Sequence, residues 1–296
     1  MNPVTRSAAV PAETGLLEHW LMHYARRFPI RRGKLRVIDA LWRFAARDRG
    51  QSRIARLAHG GFRMQCNLDL MVQRQYYFFG TYFLEQEHLR CWEQQARSAN
   101  VVFDIGANAG IYSLSALSAN RSAQVHAFEP TPELATHIRD TAALNALSNL
   151  HVHEVAIARA AGRACLWRCS GESGTNEGMN FITTNRKGSG EEVPTISIDR
   201  FCAEHAIDRV DLMKIDIQGN EPEALAGAQA MLGEQRIGTI FIELNWESGV
   251  DDSPAARTVA MLDGAGYRFA RPGPTLEWRA AGDWLRAESD VVAARG

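Results

Sequence analysis

The amino-acid sequence predicts an α/β fold with a mostly parallel sheet, and three stretches carry that expectation. The first runs from Val101 to Pro130. Val101, Val102, Phe103 and Ile105 make a short apolar run suited to a strand buried on both faces. Gly106 and Gly110 then let the backbone turn sharply and approach a ligand closely. Ile111, Leu114 and Leu117 recur at helical spacing, and a second strand, Val125–Phe128, stops at Glu129-Pro130. Strand, glycine turn, helix, strand and acidic residue form one nucleotide-binding half of a Rossmann-like sheet. The second stretch, Val210–Glu223, holds a strand of Val210, Leu212, Met213, Ile215 and Ile217, interrupted by Lys214 and Asp216. The third, Thr239–Leu244, is a strand that ends in a charge at Glu243. Charged groups in buried strands are costly unless paired or working, and ligands in open α/β sheets sit outside the carboxyl ends of the strands.

The other elements follow in order. The first fifteen residues, rich in Ala, Pro, Thr and Ser, predict little regular structure. Leu16, Leu17, Trp20, Leu21 and Tyr24 form one apolar stripe at helical spacing, and Val37, Ile38, Leu41, Trp42 and Ala45 form another. Gly60-Gly61 ends the helical pattern, and Phe62, Met64, Cys66, Leu68 and Leu70 alternate as in a half-exposed strand. The aromatic stretch Tyr76–Leu89 reads first as core packing, with a wall of a binding site as the alternative. Helices are expected over 85–96, 132–146, 222–232 and 254–265. Further strands are expected over 150–157, 162–167 and 193–198, with Asp199 capping a short helix. The glycine-rich stretch Ser170–Glu192 reads as a mobile loop closing over a bound molecule, and Tyr267–Arg271 with Thr275–Trp278 as a closing hairpin. The domain division expected is a helical, basic extension over 1–59 and an α/β domain over 60–296, with its core motifs in 101–270.

The glycine spacing bears on the ligand. A dinucleotide fingerprint needs G-x-G-x-x-G to cradle a pyrophosphate, whereas this turn reads D-x-G-x-N-x-G, from Asp104 through Gly106 and Asn108 to Gly110. A carboxylate beside the turn repels phosphate and suits a ligand with a cationic end, such as the amino group and sulfonium of S-adenosylmethionine. Glu129 at the end of the second strand can accept both ribose hydroxyls. A nicotinamide-dependent oxidoreductase would share Glu129 but lacks its phosphate cradle here.

At 296 residues, with 46% hydrophobic and 23% charged residues, the composition is that of an ordinary globular chain. No apolar run approaches the ~20 residues of a membrane-spanning helix, and the amino terminus lacks the apolar core of a signal peptide, so cytoplasmic residence is expected. The five cysteines contain no C-x-x-C; Cys165 and Cys169 are expected as free thiols, and His151 and His153 as an exposed pair rather than metal ligands. Between Arg26 and Arg56, eleven Arg or Lys residues stand against Asp39 and Asp48 in a chain of net charge −1. That asymmetry fits either a solvated face or an anionic neighbour, such as membrane headgroups met peripherally or a phosphate-bearing acceptor. No nucleic-acid partner is expected.

Asp104-Ile105-Gly106-Ala107-Asn108-Ala109-Gly110, Ala127-Phe128-Glu129-Pro130, Lys214-Ile215-Asp216-Ile217-Gln218-Gly219-Asn220-Glu221 and Ile242-Glu243-Leu244 occur in this order. Together they resemble the FkbM family of S-adenosylmethionine-dependent methyltransferases over roughly residues 60–270. The resemblance implies a class I methyltransferase fold with a mostly parallel seven-stranded sheet and helices on both faces. It also implies methyl transfer to oxygen, on a hydroxyl of a sugar, glycan, glycolipid or natural product. Two departures stand out: Gln218 replaces the family's glutamate, and Tyr82 is followed by Phe83 where the family shows F-G-x-Y-E, leaving Glu85 or Glu87 to substitute. Gln218 keeps open a non-catalytic, donor-binding module. For an enzyme, Asp216 is the first candidate base, Lys214 its partner or the stabiliser of a developing alkoxide, and Glu243 the reserve base. The spacing of Asp216 and Glu243 gives no support for a divalent metal, and no metal ligand is assigned.

Overall fold

A computed structural model describes residues 16–28, 33–45, 52–167, 181–183, 190–246 and 252–295. They fall into two compact units, one reaching Leu84 and one beginning at Glu85. The division expected between residues 59 and 60 falls inside the first unit, in the turn of a hairpin. The expectation for residues 1–15 lies outside the described residues. No helix among the described residues is long and apolar enough to cross a membrane.

The first unit holds α1 (Leu16–Arg27), α2 (Lys34–Ala45), the antiparallel strands β1 (Ser52–Arg56) and β2 (Arg63–Asn67), and α3 (Met71–Phe79). Phe62, Met64, Cys66 and Leu68 are buried, as their alternation predicts. Strand β1 is not legible in the sequence, because Arg53 occupies an inward position where an apolar residue would signal it. The Arg53 guanidinium donates to both carboxylate oxygens of Glu18, and the Tyr77 hydroxyl donates to Glu18 Oε2 at 2.8 Å. With Glu18 buried, α1 cannot turn its whole apolar stripe inward: Leu21 and Ala25 are buried, but Leu16 and Trp20 face out. Likewise Ile38 and Trp42 of α2 are buried while Val37 and Leu41 are exposed. Tyr76, Tyr77, Phe78 and Phe79 are buried, so the aromatic stretch packs this unit. Helix α3 ends at Gly80 in the left-handed conformation, and Arg26 donates to the free carbonyls of Tyr77 and Phe78.

The second unit opens with α4 (Gln86–Ala96), then β3 (Val101–Ile105), α5 (Ile111–Ala119), β4 (Gln124–Phe128), α6 (Pro132–Leu144) and β5 (Leu150–His153). Strands β6 (Ala156–Ile157), β7 (Gly162–Trp167), β8 (Phe181–Thr183) and β9 (Glu191–Ile196) follow. The chain ends with α7 (Ile198–Glu204), β10 (Val210–Ile215), α8 (Glu221–Ala226), α9 (Gln229–Gly233), β11 (Ile237–Glu243), α10 (Pro254–Gly264), β12 (Tyr267–Ala270) and β13 (Asp290–Arg295). The main sheet has seven strands in the order β12-β13-β11-β10-β3-β4-β5. Its run from β11 to β5 is parallel, and β13 is antiparallel to both of its neighbours. Alternation along the strands covers both faces. Phe103, Met213, Ile215, Ile240 and Ile242 join Phe201 of α7, Leu225 of α8 and Leu262 of α10 on one side. Phe241 points the other way, with its ring 5.2 Å from Trp92 of α4, which in turn lies 5.4 Å from Tyr112 of α5.

Several expectations need correction. The strand expected over 150–157 is two strands: β5 belongs to the main sheet, and β6 to a four-stranded sheet ordered β6-β9-β7-β8. Most of the loop expected over Ser170–Glu192, and Cys169 with it, lies outside the described residues; the described parts are β8 and the start of β9. Asp199 does not cap its own helix. Ser197 does so by accepting from Arg200, while the Asp199 carboxylate caps α9 through the amides of Ala230 and Met231. The helix expected over 222–232 is broken into α8 and α9. The closing hairpin reduces to a single bridge, Phe269 to Arg279, because β12 pairs with β13 instead. His151 and His153 are half-buried, with His153 stacked on His126, whose Nδ1 lies 3.1 Å from its Nε2.

Candidate active site

The candidate site lies at the carboxyl ends of β3, β10 and β11, and sheet register explains which side chains meet there. Lys214 is the direct partner of Asp104 on β3 and of Phe241 on β11. Two residues further on, Asp216 and Glu243 emerge on the same face, and Glu243 is the direct partner of Asp290 on antiparallel β13. One step of the pleat thus places Asp104 and Lys214 side by side, and the next brings Asp216, Glu243 and Asp290 together.

On the β3–α5 side, Asp104 is fully buried, and its Oδ2 accepts from the amide and hydroxyl of Ser113 at 2.9 and 2.6 Å. Its Oδ1 is buried with no hydrogen-bond partner among the described residues. Burial raises the Asp104 pKa, opposed by the nearby Lys214 charge. Glu129 is also buried; its oxygens accept from the amides of Asn108 and Thr131, each at 2.9 Å. Burial raises its pKa, and hydrogen bonds from the Thr131 side chain and from these two amides oppose that. With about four lone-pair sites on a carboxylate, one acceptor position remains on Glu129.

Gly106, Asn108 and Gly110 all have positive φ. The expectation that Gly106 makes room for a ligand takes a different form in the structure. A Cβ there would stand 2.0 Å from the carbonyl oxygen of Asp216, so this glycine admits the protein's own backbone. The turn and the end of β10 are locked together, and the amide of Asp216 also donates to Ile105. At Gly110 a Cβ would crowd Ile138 at 3.2 Å.

On the β10–β11 side, the Lys214 ammonium donates to Asp216 Oδ2 at 2.9 Å and lies 4.7 Å from the centre of the Tyr112 ring. Burial would lower the Lys214 pKa, but the carboxylates of Asp216, Asp104 and Glu85 outweigh it and raise it. Burial would likewise raise Asp216, but Lys214 holds it below the ordinary carboxylate value. Glu243 behaves oppositely: burial, then the Asp216 charge, push it up to about 8. Gln218 bridges the two, its Nε2 donating to Asp216 Oδ1 at 3.0 Å and to Glu243 Oε2 at 2.8 Å. It stands at φ +55° beside Gly219 at φ +94°. Glu221 holds that turn by accepting from the amides of Ile217 and Gly219.

A small cleft is lined by Glu85, Tyr112, Lys214, Asp216, Glu243 and Asp290 among others. The structure therefore gathers Lys214, Asp216 and Glu243 in one cleft, and Asp104, Gly106, Asn108, Gly110 and Glu129 around the adjoining turn. Sequence reading missed Tyr112 and Asp290 and left Glu85 undecided against Glu87. The Tyr112 hydroxyl donates to Glu85 at 2.6 Å, while Glu87 is exposed. A tyrosine two residues after Gly110 was a usable signal. Asp290 gave none, since its place depends on the register of β13.

A mostly parallel seven-stranded sheet with one antiparallel strand inserted beside its edge, and a glycine turn flanked by Asp104 and Glu129, define a class I methyltransferase. The methyltransferase FkbM domain model matches residues 104–269, more than half of the chain, and the chain belongs to this family. It is 28% identical over 199 residues to the 31-O-demethyl-FK506 methyltransferase FkbM of Streptomyces tacrolimicus, covering 58% of this chain and 74% of that one. It is 28% identical over 148 residues to the 2-O-methyltransferase NoeI of Sinorhizobium fredii, covering 46% and 60%. Among solved structures, a SAM-dependent methyltransferase from Agrobacterium tumefaciens aligns with a TM-score of 0.44 at 12% identity, covering 84% of this chain and 71% of that one.

Proposed function

We propose that this methyltransferase moves a methyl group from S-adenosylmethionine to a hydroxyl oxygen of a sugar, glycolipid or natural-product acceptor, with Glu243 as the base. The carrying observation is the opposed behaviour of two neighbouring carboxyls: Asp216 held below its usual pKa and Glu243 raised to about 8. An acceptor hydroxyl keeps its proton at neutral pH, and a base works best with a pKa near the working pH. That favours Glu243 over Asp216, the first candidate from sequence.

The residues at the β3–α5 turn fit the donor. Asp104 Oδ1, buried without a hydrogen-bond partner among the described residues, suits the donor's amino group, and Glu129 has an acceptor position left for a ribose hydroxyl. Gly106, Asn108 and Gly110 shape the turn between them. When bound, S-adenosylmethionine supplies an electrophilic methyl on a sulfonium. Glu243 takes the proton from the acceptor hydroxyl. Asp216 stays ionised, keeps Lys214 in place and raises the proton affinity of Glu243 through its charge. Gln218 orients both carboxylates with one amide, which supports a working rather than a decayed site. The names of the two relatives, a 31-O and a 2-O enzyme, support oxygen as the methylated atom.

The test pairs titration calorimetry with S-adenosylmethionine and NAD against transfer of labelled methyl to glycans, lipids and small hydroxylated metabolites. Donor binding, labelled product and a loss of at least about 10²-fold in turnover for Glu243→Gln are expected. Binding of NAD in place of the methyl donor would return the oxidoreductase reading. Full activity of Glu243→Gln with a large loss in a stably folded Asp216→Asn would return the base to Asp216.

A further inference from the structure

The first unit presents an outward surface that the methyltransferase site does not use. The rotational setting of α1 is fixed from inside by the buried Glu18–Arg53–Tyr77 cluster. That of α2 is fixed by Asp39, which accepts from Arg74 at 2.8 Å, and by buried Ile38 and Trp42. The two helices also meet where the Lys34 ammonium donates to the carbonyl of Phe28, just past the end of α1. With the inward faces so occupied, large apolar side chains stand outward. Leu16 is 86% exposed, Trp20 70%, Phe28 51%, and Val37 and Leu41 43% each. On α1, Leu16 and Trp20 share a stripe with Arg27; on α2, Val37 and Leu41 stand beside exposed Arg36. Large apolar side chains exposed together on a surface mark a place that meets a partner.

The charge pattern says what. Arg26, Lys34 and Arg53 make hydrogen bonds inside the unit, and Glu18 neutralises Arg53, but Arg27 and Arg36 stay exposed beside the apolar side chains. A second copy of this face would add the positive charge of its own Arg27 and Arg36, and like charges disfavour that contact. An anionic bilayer offers the opposite charge at its surface and an apolar layer just below it. It also accepts single, spaced side chains, Trp above all, without requiring matching pockets.

We propose that the outward faces of α1 and α2 dock the protein on anionic lipid membranes, with Leu16, Trp20, Phe28, Val37 and Leu41 entering the headgroup boundary and exposed Arg27 and Arg36 meeting lipid phosphates. The full chain is sedimented with vesicles of phosphatidylglycerol mixed with phosphatidylcholine, and with vesicles of phosphatidylcholine alone, at low and raised salt. It should bind the first, not the second, and salt should weaken binding. Trp20→Glu with Leu41→Glu, and separately Arg27→Glu with Arg36→Glu, should each lower partition by on the order of tenfold or more. All four sites are exposed, so the melting temperature should not change. No binding to the anionic vesicles, equal binding to both kinds, or wild-type binding by both double variants would each overturn the proposal. So would sedimentation velocity showing that Trp20→Glu with Leu41→Glu turns a dimer into a monomer, since the face would then join two copies.

Discussion

A carboxyl group that is buried and set beside another carboxylate holds its proton to higher pH than one in water. Glu243 meets both conditions, so the limb of turnover that depends on it should rise with pH and level off above about 8. Replacement by glutamine should abolish that limb. The same shift has a consequence for stability. A carboxyl whose folded pKa lies above its unfolded value of 4.5 stabilises the fold fully only below that value, and the contribution is lost as pH rises through about 8. Glu243→Gln should therefore melt like the wild type near pH 5 and at least about 2 °C higher near pH 9. A scan in which the two curves stay superimposed at every pH would show that Glu243 is not held protonated. Glu129 has a separate role. Its two amide bonds shape the turn, so Glu129→Ala should weaken S-adenosylmethionine binding seen by calorimetry while circular dichroism still reports a folded chain. Unchanged affinity would place the ribose elsewhere.

The glycine turn between β3 and α5 is held to β10 through the backbone, and this coupling joins the two halves of the site. Gly106 has φ +75° and no room for a Cβ against the Asp216 carbonyl. Gly106→Ala should cost at least about 2 kcal/mol from the backbone conformation and the clash together, and should lower turnover by displacing Asp216. Gly233, at the end of α9, has ordinary φ and open space around it, so Gly233→Ala should be close to neutral by chemical denaturation. Equal stability of both variants would mean that the close approach of β3 and β10 is not maintained in solution.

The last strand contributes more to the molecule than its position in the chain suggests. Strand β13 lies between β12 and β11, pairs with both, and places Asp290 beside Glu243. Val291, Val292 and Ala293 within it are buried. Ending the chain after Glu288 would leave the facing edges of β11 and β12 unpaired and open the core beneath them. That truncation should yield insoluble or unfolded protein, and a soluble, cooperatively melting product would show that the five parallel strands suffice.

The sequence alone determined the α/β class, the parallel strands β3, β4, β10 and β11, and the positions of Asp104, Glu129, Lys214, Asp216 and Glu243. These were legible because an apolar run that ends in glycine or in a charge is a local pattern, readable within about a dozen residues. Other features depended on partners far along the chain. Arg53 in β1 and Glu18 in α1 each look like surface residues until the other is found. Val291–Ala293 is too short a run to name as a strand until β11 and β12 stand on either side. The order of the two carboxyls depended on such contacts too: the sequence ranked Asp216 ahead of Glu243, and no local pattern shows which of them Lys214 pairs with. Lys214 lies against one of them and not the other, and in a poorly solvated cleft a single charge at 2.9 Å decides which carboxyl keeps its proton.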